Sequence, residues 1–318
     1  MNKRKLKLAA IAISCLTGWI FSFLAIEIFR DYAFGLFVWL PFVMGALSAL
    51  ICGDKYSTRK RDYFKVSVLS LLIFCSGLLL FAWEGVICLI MALPVGLFFN
   101  LIGCLIGYAF ISRKFVDPPT TITVLFISVP VFMGFENSIE YKNQLRSVKT
   151  AIEIDAGPEQ VWRNVIEFPE LKPPKEFVFS TGVAYPINAT IHGKGAGAIR
   201  YCNFSTGSFV EPIVVWDEPK LLQFSVKEQP EPMKELSLYD IHPNHLHGYW
   251  VSQKGQFKLT KLPNGRTLLE GTTWYVNKIT PGFYWTIWSD YIVHKIHSRV
   301  LNHIKSQAEN QATNSQTR

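Results

Sequence analysis

Apolar residues are distributed very differently before and after about residue 136. Upstream of that point they form five nearly continuous runs, at 8–29, 33–52, 66–83, 86–111 and 121–135. A helix needs roughly 20 apolar residues to cross a bilayer, so these runs predict a membrane domain over 1–135 with four to five transmembrane helices. The fifth run is short and contains Pro130. It spans the membrane only if neighbouring residues lengthen its helix.

Downstream, after a linker at 136–147, the pattern is that of a globular domain. Residues 148–155 alternate between apolar and polar side chains, which predicts a strand, and Pro158 begins a short helix. Further strands are predicted from alternation and turn residues, with a hairpin signal at 263–265. They lie at 196–204, 208–216, 221–227, 248–262 and 266–276.

A long helix from about Phe283 to Gln307 ends the predicted domain, and the polar residues 309–318 are expected to form a disordered tail. The apolar stripe assigned to this helix comprises Tyr284, Ile287, Trp288, Tyr291, Ile292, Ile296, Val300 and Ile304. Asp290, His294 and His297 share the opposite face, so we expect them to lie at the surface.

This order of elements predicts an α-helical membrane domain followed by an α+β helix-grip domain over 148–308. In such a domain a curved antiparallel sheet wraps around a long C-terminal helix. The run 152–162 resembles the opening of the START/polyketide-cyclase (SRPBCC) superfamily. The segments 271–275 and 297–304, with Pro281 between them, are similar to the end of its membrane-anchored members. The resemblance covers 147–308 and implies a START-like fold with a ligand cavity, but no particular activity.

Charge indicates how the membrane domain is oriented. Residues 1–135 contain 12 Lys/Arg and 6 Asp/Glu, whereas 136–318 contain 20 and 18. The basic excess therefore flanks the apolar runs, which favours a cytoplasmic N-terminus in a plasma (inner) membrane and argues against nucleic-acid binding. If 121–135 spans, the globular domain is extracytoplasmic, which we favour. If that segment is re-entrant, the domain is cytoplasmic.

Large aromatic residues near the C-terminus are the main indication of a ligand. Rings with polar edges suit a cavity that holds an apolar molecule and fixes one polar group. They equally suit an ordinary core or a belt at the membrane surface. The predicted cavity residues are Phe209, Trp250, Trp274, Tyr275, Tyr284, Trp288 and Tyr291.

Few residues are candidates for chemistry. Glu211 and Glu270 interrupt apolar strand faces, so either is a candidate acid inside the cavity. Either could equally lie on the outer face of the sheet or pair with Arg200 or Arg266. His242 is a further catalytic candidate. Together with His245 and His247, and with Asp240 as an oxygen ligand, it is also a candidate metal ligand. The spacing matches no zinc signature, so we predict no metal and no cofactor.

Three functions are compatible with this pattern. The first is a membrane-tethered START-like domain that binds a lipid or another hydrophobic small molecule, with the bilayer as its surroundings. The second is an enzyme of the cyclase/dehydratase type that uses a cavity acid or histidine. The third is a membrane sensor or assembly protein. We favour the first because of the fold resemblance.

Overall fold

The computed structural model describes residues 3–53, 59–113, 117–139 and 144–316. The chain forms two compact units. The first contains the apolar helices and also includes Glu235–His245 and Ile279–Tyr284. The second contains the rest of the C-terminal half. The C-terminal half therefore contributes two segments to the helical unit, which the apolar pattern alone did not indicate.

The helical unit consists of α1 (Lys3–Phe29), α2 (Gly35–Cys52), α3 (Lys60–Leu80), α4 (Val86–Arg113) and α5 (Pro118–Asn137). Within the described residues these five helices are long and apolar enough to cross a membrane.

Helix α5 is longer than its apolar run. The side chain of Asp117 accepts a hydrogen bond from the backbone N–H of Thr120, which caps the helix at its start, and Pro118 suits its first turn. Twenty residues at about 1.5 Å each reach about 30 Å, the thickness of a bilayer core. The length objection raised by the sequence pattern is therefore removed.

Helices α2 and α4 approach each other closely at glycines. A Cβ atom on Gly45 would lie 1.9 Å from the backbone oxygen of Asn100, and one on Gly103 would lie 1.9 Å from that of Phe42. The Asn100 side chain donates a hydrogen bond from Nδ2 to the carbonyl of Pro41 on α2 at 3.2 Å. Small residues and a buried amide thus join these helices.

The second unit contains a seven-stranded antiparallel sheet in the order β1-β7-β6-β5-β4-β3-β2. Its strands are β1 (Leu145–Ile154), β2 (Pro186–His192), β3 (Ile199–Phe204), β4 (Gly207–Asp217), β5 (Leu221–Ser225), β6 (Trp250–Lys261) and β7 (Thr267–Asn277). Its helices are α6 (Pro158–Ile166), α7 (Phe177–Ser180) and the long α8 (Gly282–Gln316), whose first residues belong to the helical unit. The predicted fold class is confirmed.

The core of this unit lies between the sheet and α8. Leu269 of β7, Trp162 of α6, and Leu301 and Ile304 of α8 are almost completely buried within it. The same face of α8 continues through Ala308, whose carbonyl accepts a hydrogen bond from Gln160 Nε2 at 2.9 Å. Residues 309–316 are therefore helical and not a disordered tail, because alanines extend the packing stripe by further turns.

Candidate functional site

Contacts with α8 identify the inner face of β7. A Cβ atom on Gly271 would lie 3.6 Å from Leu301 Cδ2, Thr273 Oγ1 lies 2.8 Å from His297 Nε2, and the hydroxyl of Tyr275 donates to Asp290. Because side chains alternate along a strand, residues 272, 274 and 276 lie on the opposite face. This assignment decides which of the predicted cavity residues can meet a ligand.

Three predicted cavity residues lie on the inner face. Trp250 stacks on Tyr275, with ring centroids 5.3 Å apart. Phe209 packs against the core and against the ring of Phe204, 4.9 Å away. Phe204, Phe209 and Trp250 are only partly buried.

Trp274 and Glu270 lie on the outer face of the sheet, contrary to the sequence interpretation. The Trp274 ring is covered by the ammonium group of Lys254 at 4.7 Å. Glu270 forms an ion pair with the exposed Lys149 of the neighbouring strand β1. Side chains alternate regularly along β7, so Glu270 lies on the same face as Leu268 and Trp274. That face is the outer one.

The predicted apolar stripe of α8 is confirmed in its C-terminal part, at Val300 and Ile304, but not in its first turns. The residues buried against the sheet are Val293, Val300, Leu301 and Ile304, whereas Tyr291 is 46% exposed. Trp288 is half-buried. Tyr284 belongs to the helical unit, where its hydroxyl donates to the carbonyl of Met91. The aromatic residues in the first turns of α8 therefore do not mark the face that packs on the sheet.

A buried ion pair lies on the inner face of β3 and β4. Arg200 donates from Nη1 to Glu211 and from Nε to the carbonyl of Ile166, and the side chains of Arg200 and Glu211 are only 2% and 7% exposed. The rings of Phe168, Phe224 and Phe257 lie 5.5 to 5.7 Å from its guanidinium carbon. Burial raises the pKa of Glu211, and the guanidinium opposes that rise.

Two buried nitrogen atoms near this pair have no hydrogen-bond partner among the described residues. They are Nε1 of Trp162 and Nε2 of His303. The Trp162 ring packs edge-on against Trp216, and His303 lies beside Phe168, which also contacts Arg200. A buried polar atom without a partner is costly, so these atoms indicate where an acceptor or a water molecule belongs.

Asp290 and His294 are at least partly exposed, as predicted, and Asp290 forms an ion pair with Arg146. His297 is not at the surface, because its side chain lies between α8 and strands β1 and β7. The two ring nitrogens of His297 lie 3.1 Å and 2.8 Å from the hydroxyls of Thr150 and Thr273. His294 contacts the same Thr150 at 2.9 Å. Burial, and then the proximity of His294, lowers the pKa of His297 to about 4.

Acidification is expected to weaken this part of the domain. A histidine in the unfolded chain takes up a proton below about pH 6.5, whereas folded His297 resists it until about pH 4. Its contribution to stability is present above pH 6.5 and is lost as the pH falls towards 4, by at most about 3 kcal/mol. Hydrogen exchange of β7 in the full chain should lose protection over this range. His297→Asn, compared at each pH, should remove most of the loss, and an unchanged pH profile would contradict the assignment.

The three histidines considered as metal ligands are not brought together. His242 and His247 have exposed side chains beside Asp240 and Glu231. His245 is buried in the helical unit beside Glu84 and Cys88. Of the three histidines, only His245 lies in a cluster of possible metal ligands. The other members of that cluster are Glu84 and Cys88, not the neighbouring histidines.

No protein-family profile and no curated protein matches the chain. Among solved structures, it is similar to a protein from Nitrosospira multiformis, at 17% identity over 53% of this chain and 99% of that one, with a TM-score of 0.34. It is also similar to norcoclaurine synthase from Thalictrum flavum, at 10% identity over 54% and 99%, with a TM-score of 0.35. A third is the ZhuI aromatase/cyclase from Streptomyces sp. R1128, at 13% identity over 53% and 96%, with a TM-score of 0.35. These are likenesses of fold.

Proposed function

We propose that the C-terminal domain binds an apolar small molecule, such as a lipid, between its sheet and α8. The observation that carries this proposal is the combination of partly buried aromatic residues on the inner face with buried nitrogens that have no hydrogen-bond partner among the described residues. Partly buried Phe204, Phe209 and Trp250 offer apolar contacts, while Trp162 Nε1 suits one acceptor on the ligand. An apolar pocket with few polar groups is typical of sites for hydrophobic ligands.

We further propose that α1 to α5 hold this domain at a membrane. Five spans with a cytoplasmic N-terminus would place residues 144–316 on the extracytoplasmic side. Lipids are concentrated next to a domain tethered in this way, so a modest affinity is sufficient for occupancy. Protease added to intact cells should then cleave the C-terminal domain. Cleavage only after lysis would contradict the proposed orientation.

An enzyme of the cyclase/dehydratase type is the second candidate, because Glu211 is a buried acid with a raised pKa on the inner face. Its engagement by Arg200 favours a structural carboxylate over a proton donor, since the guanidinium holds it charged. The binding role therefore remains our first proposal. An acid–base role would require Glu211 to leave Arg200 when a substrate enters.

Photocrosslinking in membranes tests the binding proposal. The full chain is reconstituted with a phospholipid that carries a diazirine on its acyl chain, and crosslinked peptides are mapped by mass spectrometry. We expect crosslinks at β4 and β6 near Phe209 and Trp250, in addition to those in the apolar helices. Crosslinks confined to residues 3–137 would overturn the proposal.

A matched pair of tryptophan substitutions sharpens this experiment. Trp162→Phe removes the unpartnered N–H and keeps most of the packing, so crosslinking at β4 should fall up to about tenfold, as expected for the loss of one hydrogen bond. Trp274→Phe, on the outer face, should have no effect. Equal effects of the two substitutions would mean that the inner face does not hold the lipid.

A further inference from the structure

Four side chains that suit a metal ion meet inside the helical unit. Glu84 lies in the turn between α3 and α4, and Cys88 lies in the first turn of α4. Glu235 and His245 come from the two ends of the segment that the C-terminal half contributes to this unit. The ligand atoms of Glu84, Cys88 and His245 all lie within 4.8 Å of one another.

Both ring nitrogens of His245 lie close to other members of the cluster. Cys88 Sγ lies 2.9 Å from His245 Nε2 and also contacts a carboxylate oxygen of Glu235. That oxygen is 3.9 Å from Nε2, and Glu84 Oε2 is 3.6 Å from Nδ1. Around a tetrahedral Zn²⁺, bonds of about 2.0–2.3 Å leave ligand atoms about 3.3–3.8 Å apart, and the two contacts of Nε2, at 2.9 Å and 3.9 Å, lie on either side of that spacing.

Glu84 and Glu235 place two carboxyl groups in a buried site, where their charged forms need a cationic partner. The side chains of Glu84, Glu235 and His245 are 8%, 0% and 8% exposed. Within the described part of the chain, no lysine or arginine forms an ion pair with either glutamate. One oxygen of each, Oε1 of Glu84 and Oε2 of Glu235, is buried with no hydrogen-bond partner among those residues. Buried carboxylates normally pair with a cation or bind a metal.

Hydrogen bonds hold the backbone on both sides of the cluster. The N–H of Val86 donates to the carbonyl of Leu236 at 2.9 Å. Asn244 Nδ2 donates to the carbonyl of Ile26 at 3.3 Å. Gly85 leaves the space that Glu235 occupies, since a Cβ there would lie 1.9 Å from Glu235 Oε2. Both ends of the contributed segment are therefore held against α1 and the α3–α4 turn.

We propose that Glu84, Cys88, Glu235 and His245 bind one divalent transition-metal ion, with Zn²⁺ as the preferred occupant. One thiolate, one imidazole and two carboxylates form the mixed sulfur, nitrogen and oxygen set that zinc accepts, whereas Mg²⁺ and Ca²⁺ favour oxygen ligands only. Binding releases the thiol proton of Cys88, and the ion offsets the buried negative charge. The ion would tie the contributed segment to the start of α4.

The same residues also have the order of a nucleophile, a base and an orienting acid, in Cys88, His245 and Glu84. The position of Glu235 argues against that reading, because a carboxylate in contact with the sulfur disfavours a free thiolate. A metal ion removes this conflict by holding both groups in their anionic forms. A reactive thiol is accordingly the outcome that would overturn the metal site.

Metal analysis of the full chain in detergent tests the proposal. After equilibration with Zn²⁺ and gel filtration, we expect one zinc per chain, and Co²⁺ in its place should give a thiolate-to-metal charge-transfer band. Cys88→Ser should abolish that band. Cys88→Ser, His245→Gln and Glu235→Gln should each weaken Zn²⁺ binding by at least about 100-fold, more than the loss typical of outer-shell changes.

Matched controls separate loss of a ligand from loss of the fold. His242→Gln changes an exposed histidine three residues from His245, and Cys75→Ser changes another thiol of the helical unit. Both should bind one zinc as the wild type does. In the unmodified chain, Zn²⁺ should slow alkylation of Cys88 at least tenfold, and a chelator should reverse this. Zinc-independent, rapid alkylation of Cys88, or equal Zn²⁺ affinity in the ligand and control variants, would overturn the site.

Discussion

Glu211→Leu is expected to destabilise the C-terminal domain by about 3–5 kcal/mol, the cost of leaving one partner of a buried ion pair alone. Arg200 would remain enclosed by three phenylalanine rings, and a guanidinium cannot lose its charge by deprotonation. Arg200→Met should cost less, because the remaining Glu211 carboxyl can take up a proton. The pKa of Glu211 is already raised by burial, so the penalty of Arg200→Met should shrink as the pH falls.

The double substitution distinguishes the charge effect from simple loss of packing. Arg200→Met with Glu211→Leu leaves no buried charge, so most of the stability should return. Arg266 and Glu153 provide a matched pair at the surface, 2.9 Å apart and 42% and 52% exposed. Glu153→Leu should change stability by less than about 1 kcal/mol. A double variant as unstable as Glu211→Leu alone would contradict the electrostatic explanation.

Cys202 allows this measurement in the full chain. It is the single cysteine after residue 104, and it lies buried on β3, two residues from Arg200. Burial, and then Glu211, raises the pKa of its thiol to about 12, so the folded domain should label very slowly. The extent of Cys202 labelling after a short pulse at increasing urea therefore reports unfolding of this domain separately from the apolar helices.

The fold was predictable because its signals are local. Alternation in 148–155, the proline that begins α6 and the turn at 263–265 each depend on a few adjacent residues. The structure has β1, α6 and the β6–β7 hairpin at these places. At Gly265 the backbone has a φ of +80°, a conformation that favours glycine and explains the strength of that turn signal. Strand β2 was not predicted, although apolar and polar residues alternate between Pro186 and Gly193.

The sites were less predictable because they depend on which face of an element is buried. In α8 the predicted apolar stripe was based mainly on aromatic residues. The structure instead packs Val293 and Leu301 on the sheet, with His297 between them. A helix that carries polar residues on its inner face breaks the rule that apolar residues mark the core. The cluster around Cys88 could not be predicted from the sequence, because Cys88 and His245 lie 157 positions apart and no local pattern connects them.

The helical unit leads to the second prediction with a large effect, at the contact between α2 and α4. Gly103→Ala should destabilise this unit by about 3 kcal/mol, the upper end of the cost of overpacking, because the added carbon meets the backbone of Phe42. Neither backbone can move without separating the two helices. Heating the full chain in detergent should therefore cause loss of the monodisperse species at a lower temperature, and the buried Cys104 should become open to alkylation.

Gly96→Ala is the control, since it makes the same chemical change seven residues earlier on the same helix. The nearest atom to its added carbon is Pro41 Cγ, at 3.8 Å, an ordinary contact. Alanine is also the better helix former by about 1 kcal/mol, so Gly96→Ala should be neutral or slightly stabilising. The sequence alone does not distinguish the two positions, because both are glycines within the same apolar helix. If both substitutions lowered the melting temperature equally, the explanation by contact with α2 would be wrong. The two glycines would then act through the helix propensity of α4.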